Sequence, residues 1–514
     1  MRSKKKKGIF YLGTAVAYRL VVIIVGLLLP KLFITSYGSE LNGLRDSVRQ
    51  IFTYIALLES GIGASVLQSL YKPVADKDHG TVNSYLSAAS SSYNRIAALY
   101  FAALVVLGTV YTFTVPVESV TRWEVFVYIL VSGAMTGINF FYYAKLKLLI
   151  SAEGDQYLVS IVTMVTYLVS SVAKIALIYQ GVHIIIVEAA FLLINLAVVF
   201  VYYLIAKKKY PWLSFRAKPD YECTKQKGAV MIHRISYVIF QNTDVLLLTF
   251  FCNLEIVSIY GMYKMVVNMV TSIVSEIGNS VNFVLGQKFN SEDESKKGYC
   301  RIIDLFNVYY SGVSFALYTV TYILILPFLR LYTDQMDINY IYPLLPTLYI
   351  IMELLMVGRE AMMRTIEVAG LFKKTQFRSL LEAIINVAAS VVFIIAGKHF
   401  YGDFGGIYGA LLGTIVALLY RTVDINLFAN KYILKRSSWK TFSVMLTNAV
   451  TLAATAFAFR YIPLNINGYK DFLIYGLLIT VTVVPVFLLI QSLVHFKECK
   501  SLLSLACSFV KRRR

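Results

Sequence analysis

Residues 182–206 read VHIIIVEAAFLLINLAVVFVYYLIA, and the run Lys207-Lys-Lys209 follows at once. A helix of about 20 apolar residues crosses the roughly 30 Å of hydrocarbon in a bilayer, so this stretch is a membrane span ending in a cationic stop. The whole chain has the same character. It is 58% hydrophobic and only 15% charged, with a mean hydropathy of +0.66, against about 45–50% and about 25% in soluble domains.

Working outward, thirteen more such segments can be drawn, at 9–34, 42–69, 85–113, 122–145, 157–179, 229–251, 256–285, 302–328, 338–366, 377–397, 404–428, 440–461 and 471–495. The expected fold is therefore an all-α integral membrane protein of about fourteen transmembrane helices. Arg2 and Lys4–Lys7 lead into a long apolar segment with no small-residue cleavage site, so the first span is expected to stay in place.

Basic residues in short loops set orientation. With the N-terminus inside, roughly 33 Lys and Arg fall on the inner side against 5 outside: Arg122, Arg330, Lys398, Arg460 and Lys470. Both termini are thus expected in the cytoplasm of a bacterial inner-membrane protein. The net charge of +20 sits at helix ends on one face, which argues against a nucleic-acid partner. Cys223, Cys252, Cys300, Cys499 and Cys507 show no metal-like or disulfide spacing. No cofactor or metal is expected. The dispersed histidines (His79, His183, His233, His399 and His495) offer no enzyme constellation, so the chain is not read as an enzyme.

An internal repeat is visible. Glu59-Ser-Gly61 with Asp76 matches Glu276-Ile-Gly278 with Asp293 at an offset of 217 residues, and Lys147 meets Arg364 at the same offset. Six spans separate the copies, so the repeat is parallel, about an axis along the membrane normal. The expected layout is an N-lobe at 1–206, a cytoplasmic linker and hinge at 207–228, a C-lobe at 229–430, an extra hairpin at 431–495 and a basic amphipathic tail at 496–514.

Ionised residues inside a membrane cost about 2.5–3.5 kcal/mol each on insertion scales and tend to face wet cavities. Span one has Arg19, and span two has Arg45, Asp46, Arg49 and Glu59; at helical spacing Arg45, Arg49 and Glu59 share an arc of about 80°. Span seven adds Arg234 and Asp244. Span eight carries a stripe of Lys264, Asn268, Thr271, Ser275, Asn279 and Asn282, and span ten carries Glu353, Arg359, Glu360 and Arg364. The bland alternative is that end residues snorkel and that Asp46 and Arg49 form an i, i+3 pair. Taken together, the set points to a cationic cavity for an anionic cargo, with Arg suited to phosphate. Glu59, Glu276 and Asp244 are candidates for carrying a coupling ion, set against simple helix packing beside Gly61 and Gly278.

The stretches Tyr37-Gly-Ser-Glu-Leu-Asn-Gly-Leu44, Leu58-Glu-Ser-Gly-Ile-Gly-Ala64 and Leu70-Tyr-Lys-Pro73 resemble the first two spans of polysaccharide-transport, Wzx-like flippases. Gln241-Asn-Thr-Asp244 resembles the corresponding helix of the second lobe. These flippases belong to the multidrug/oligosaccharidyl-lipid/polysaccharide (MOP) superfamily, with the MATE transporters and the MurJ-like lipid II flippases. The resemblance implies two helical lobes that move an undecaprenyl-diphosphate-linked oligosaccharide between leaflets by alternating access, with Arg19, Arg45, Arg49 and Lys264 meeting the diphosphate. It also implies a lipid-linked glycan and membrane lipids as partners, with a polysaccharide polymerase and glycosyltransferases beside them. A cation-coupled multidrug antiporter of the same fold is the alternative, and the excess of basic residues argues against it.

Overall fold

The computed structural model describes the backbone of residues 2–59, 62–142, 144–224, 227–289, 297–502 and 504. Side chains within them are described at Thr14, Tyr18 and from Val21 on, apart from 64, 224, 227–234, 237, 283, 372 and 373. These residues form α1 (Arg2–Ile55), α2 (Ile62–Ala75), α3 (His79–Thr114), α4 (Arg122–Tyr142), α5 (Ala144–Ala152), α6 (Gln156–Tyr179), α7 (Ile184–Lys209) and α8 (Lys227–Phe251). They continue with α9 (Leu254–Asn279), α10 (Asn282–Phe289), α11 (Lys297–Tyr332), α12 (Leu344–Val368), α13 (Phe372–Phe428), α14 (Trp439–Phe459) and α15 (Tyr469–Val494).

Ten helical stretches of the described residues are long and apolar enough to cross a membrane. Two of them, in α1 and α13, each bend at a glycine into two arms, and α8 and α12 supply the remaining segments of an all-α integral membrane fold. The bend in α1 is at Gly38, whose φ of 86° lies where other residues are strained. The N–H of Ser39 beyond the bend donates to Asp337 Oδ2 at 2.7 Å, so a carboxylate supplies a cap that the local sequence lacks. The bend in α13 follows Tyr401 at Gly402, with φ 65°. Its two arms pack so closely that a Cβ on Gly409 would lie 2.3 Å from the Phe393 carbonyl oxygen. Lipid gives helices no hydrophobic reason to associate, so such small-residue contacts and buried bonds like Asn386 to Thr414, at 2.8 Å, hold the hairpin.

Two expected spans are interrupted. The second, drawn at 42–69, leaves α-helix at Ile55 for a 3-10 turn, Ala56–Glu59, and resumes at Ile62. Glu59 therefore does not continue the face that carries Arg45 and Arg49. The eighth span breaks after Asn279, so Asn282 opens α10 instead of extending the stripe on α9.

The chain divides into two compact units: residues 1–258 with 336–338, and residues 259–335 with 339–514. In the first, α1 packs on α6 and α8, α6 on α7, and α3 and α7 on α4. Polar rungs join α1 to the end of the unit, with Tyr54 and Thr243 hydroxyls 2.7 Å apart, Thr249 donating to Ser47 at 2.8 Å and Asn42 to Ser258 at 2.8 Å. The connection after α7 is fastened here too. Asn83 donates to the Trp212 carbonyl at 3.2 Å, Ser87 to the Phe215 carbonyl at 3.1 Å and Ser65 to the Cys223 carbonyl at 2.7 Å. The described part of this connection thus belongs to the first unit.

In the second unit α11 is central, packing on α12, α14 and α15. Asp304 of α11 binds Arg436 at 2.7 Å and Lys440 at 2.7 Å, and Lys440 reaches Glu498 at 2.5 Å. Arg301 holds the Ser501 carbonyl at 3.1 Å. The start of the tail is thereby tied to α11, while its face of Leu505, Ala506 and Phe509 and its basic end lie outside the described residues.

Candidate functional site

In the first unit, α1, α4, α6 and α7 bring together a charged cluster. Arg45 pairs with Asp46 at 3.1 Å and lays its guanidinium 4.9 Å from the centre of the Phe33 ring. Asp46 is thus taken by its neighbour in sequence and not by Arg49. Behind them Lys174 of α6 forms an ion pair with Glu188 of α7, with side chains only 10% and 7% exposed. The field of Glu188 reaches Arg45 and Tyr128, and that of Lys174 reaches Arg45 and Arg49. Two cations are compensated by two carboxylates. Arg49, one turn beyond Arg45 on the same face, is exposed and pairs with no carboxylate among the described residues.

Lys174 and Glu188 were not singled out in the sequence, although each interrupts a long apolar run, and that was the available signal. Glu59 accepts a hydrogen bond from Tyr93 Oη at 3.1 Å. Asp244 is buried in the same unit, close enough to act electrostatically on Tyr54. Arg19 and Arg234 lie outside the described side chains.

The second unit handles charge differently. Arg421, 1% exposed, sits between Glu382 at 3.3 Å and Asp424 at 2.8 Å. Arg359 also binds Glu382, and Arg378 binds Asp424. Arg364 pairs with Glu360 at 2.6 Å and donates to Asn282 and, at 3.4 Å, to Asn279. The lower end of the expected stripe is therefore gripped by an arginine. Farther along α9, Lys264 lies 5.4 Å from the Tyr260 ring centre and within electrostatic reach of Glu353. Glu353 accepts from Tyr318 at 2.8 Å, and Tyr318 and Thr271 hydroxyls are 2.9 Å apart. Asn268 and Glu276 are exposed.

Outside the spans, burial pushes Lys147 of α5 down to about 8, with its ammonium 5.8 Å from the Tyr202 ring centre. The Asp78 carboxylate, which caps α3 by accepting from Thr81, is held below its usual range by those bonds.

No family model matches the chain, and no curated protein matches it. Solved structures do. The lipid II flippase MurJ in an inward closed conformation aligns over 95% of this chain and 99% of its own, at 14% identity and a TM-score of 0.58. An inward-facing MATE-family multidrug resistance transporter of the MOP superfamily aligns over 81% of this chain and 98% of its own, at 13% identity and a TM-score of 0.61. A variant of a MATE transporter from Vibrio cholerae aligns over 85% of this chain and 100% of its own, at 15% identity and a TM-score of 0.53. The chain shares its fold with these transporters. At such identities the fold is all that is shared, and one fold carries different cargoes, so function has to be argued from the charged cluster itself.

Proposed function

We propose that the chain is a flippase that moves an undecaprenyl-diphosphate-linked oligosaccharide from the inner to the outer leaflet of a bacterial cytoplasmic membrane by alternating access. The observation that carries this reading is Arg49, an exposed guanidinium without a carboxylate partner beside two compensated ion pairs. A cation in that setting attracts an anion, and the guanidinium fork matches two phosphate oxygens at once. Arg45 stands ready as a second donor, because its bond to Asp46 is only part-buried. Arg19, Arg234, Lys264 and Asn268 remain candidate contacts for the same cargo, and Glu59, Glu276 and Asp244 remain candidates for ion coupling. The work is binding and release, with no covalent step. A polysaccharide polymerase and glycosyltransferases would act on either side of it, with both termini of the chain in the cytoplasm.

The test is transport of a fluorescent undecaprenyl-diphosphate oligosaccharide by the purified chain in liposomes. Wild type is expected to move the label and Arg49→Ala to slow it at least tenfold, with the fold unchanged. Transport untouched by Arg49→Ala would remove Arg49 from the site. Proton-driven efflux of a cationic dye with no lipid movement would establish the multidrug antiporter instead.

A further inference from the structure

A cleft of about 320 Å³ lies in the second unit between α11, α12 and α14, and no member of the ion pairs described above lines it. Its wall on α14 is Ala453, Ala456, Phe457 and Arg460, at the spacing of one helix face. From Ala453 to Arg460 that face runs about 10 Å at 1.5 Å per residue. Opposite, α12 contributes Thr347, Ile350, Ile351 and Leu354. The two alanines hollow the wall, and Ala453, Phe457 and Ile351 are exposed along it.

Arg460 caps the C-terminal end of α14, a helix of 21 residues. Such a helix is about 31 Å long, so Arg460 stands at headgroup level when the helix crosses the hydrocarbon. It is exposed and makes no ion pair among the described residues. The first turn of α12 reaches the same cleft through Thr347. That turn has no side-chain cap, and its dipole end is positive. An apolar trough thus ends at an exposed guanidinium, set at the negative dipole end of α14 and facing the positive dipole end of α12, on a face where the sequence places only five basic residues.

We infer that this cleft holds one anionic phospholipid, with an acyl chain along Ala453 and Ala456 and its phosphate on Arg460. The site is independent of the cargo proposed above. A side chain that merely snorkelled to the interface would need no trough beneath it.

Native mass spectrometry of the full chain in detergent, titrated with phosphatidylglycerol or phosphatidylcholine, tests the assignment. Wild type is expected to retain one phosphatidylglycerol about tenfold more tightly than phosphatidylcholine. Arg460→Gln should erase that preference, and Ala456→Phe, which fills the trough, should weaken both lipids. Arg330→Gln, at another basic residue of the same face, should change neither. Equal retention of the two lipids by wild type would overturn the assignment. So would loss in Arg460→Gln with full retention in Ala456→Phe, which would mean an anion contact only. Displacement by undecaprenyl phosphate at a lower concentration than phosphatidylglycerol would also overturn it, in favour of a prenyl chain.

Discussion

Among the described residues, the two units settle their charges in different ways. In the second, Arg359, Arg378 and Arg421 share Glu382 and Asp424, and Arg364 is held by Glu360 and two asparagines. Every one of these guanidiniums is answered from within the unit. In the first, Asp46 and Glu188 answer Arg45 and Lys174, and Arg49 is left facing outward. Buried ion pairs are poor sources of stability because desolvation offsets their attraction, yet removing one member is severe. A locked network therefore reads as architecture, and an unanswered exposed cation reads as a place for a ligand.

The largest effect should come from breaking the locked network. Glu382→Gln strands part of two buried guanidiniums, and a single removal from a buried pair costs about 3–5 kcal/mol. Thermal unfolding in detergent should show a large loss, while Arg49→Ala stays within about 0.5 kcal/mol of wild type, as exposed substitutions do. Equal losses in the two variants would erase the contrast between the units.

The first unit's pair comes next. Lys174→Met or Glu188→Leu alone should each destabilise by about 3–5 kcal/mol, and the double variant should recover most of it, because both charges leave together. Transport separates two roles that stability alone does not. If the pair only supports α6 against α7, the double variant should still move the labelled lipid. If it sets the field at Arg49, the double variant should fold and transport poorly.

The fold could be read from runs of apolar residues, because that signal is local. The bends at Gly38 and Gly402 fall in the gaps between expected spans, at 35–41 and 398–403, whereas the interruption at Ala56–Glu59 falls inside one. The site was half legible for a related reason. Arg45 and Arg49 sit one turn apart on one helix, so spacing alone puts them together. Lys174 and Glu188 lie on different helices, as do Arg359 and Arg421, and only packing makes each set a unit. Glu59 misled for the opposite reason, since helical geometry was extended through Ala56–Glu59, where the backbone tightens into a 3-10 turn.

The smallest effect concerns a pair that the repeat itself suggests, Lys147 and Arg364. Both are cations at matching positions of the repeat; Arg364 has Glu360 at 2.6 Å, and the Lys147 ammonium lies 5.8 Å from the Tyr202 ring centre. Burial lowers Lys147 from 10.5 to about 8. Between those values the unfolded chain binds the proton and the folded chain does not, so stability rises with pH across the window. Below it the folded state loses on the order of 3 kcal/mol to keep the ammonium charged. Lys147→Met should therefore stabilise the protein at pH 7 and flatten the rise between pH 8 and pH 10. A variant that instead loses stability at pH 7 would mean that the contacts of Lys147 outweigh the cost of burying its charge.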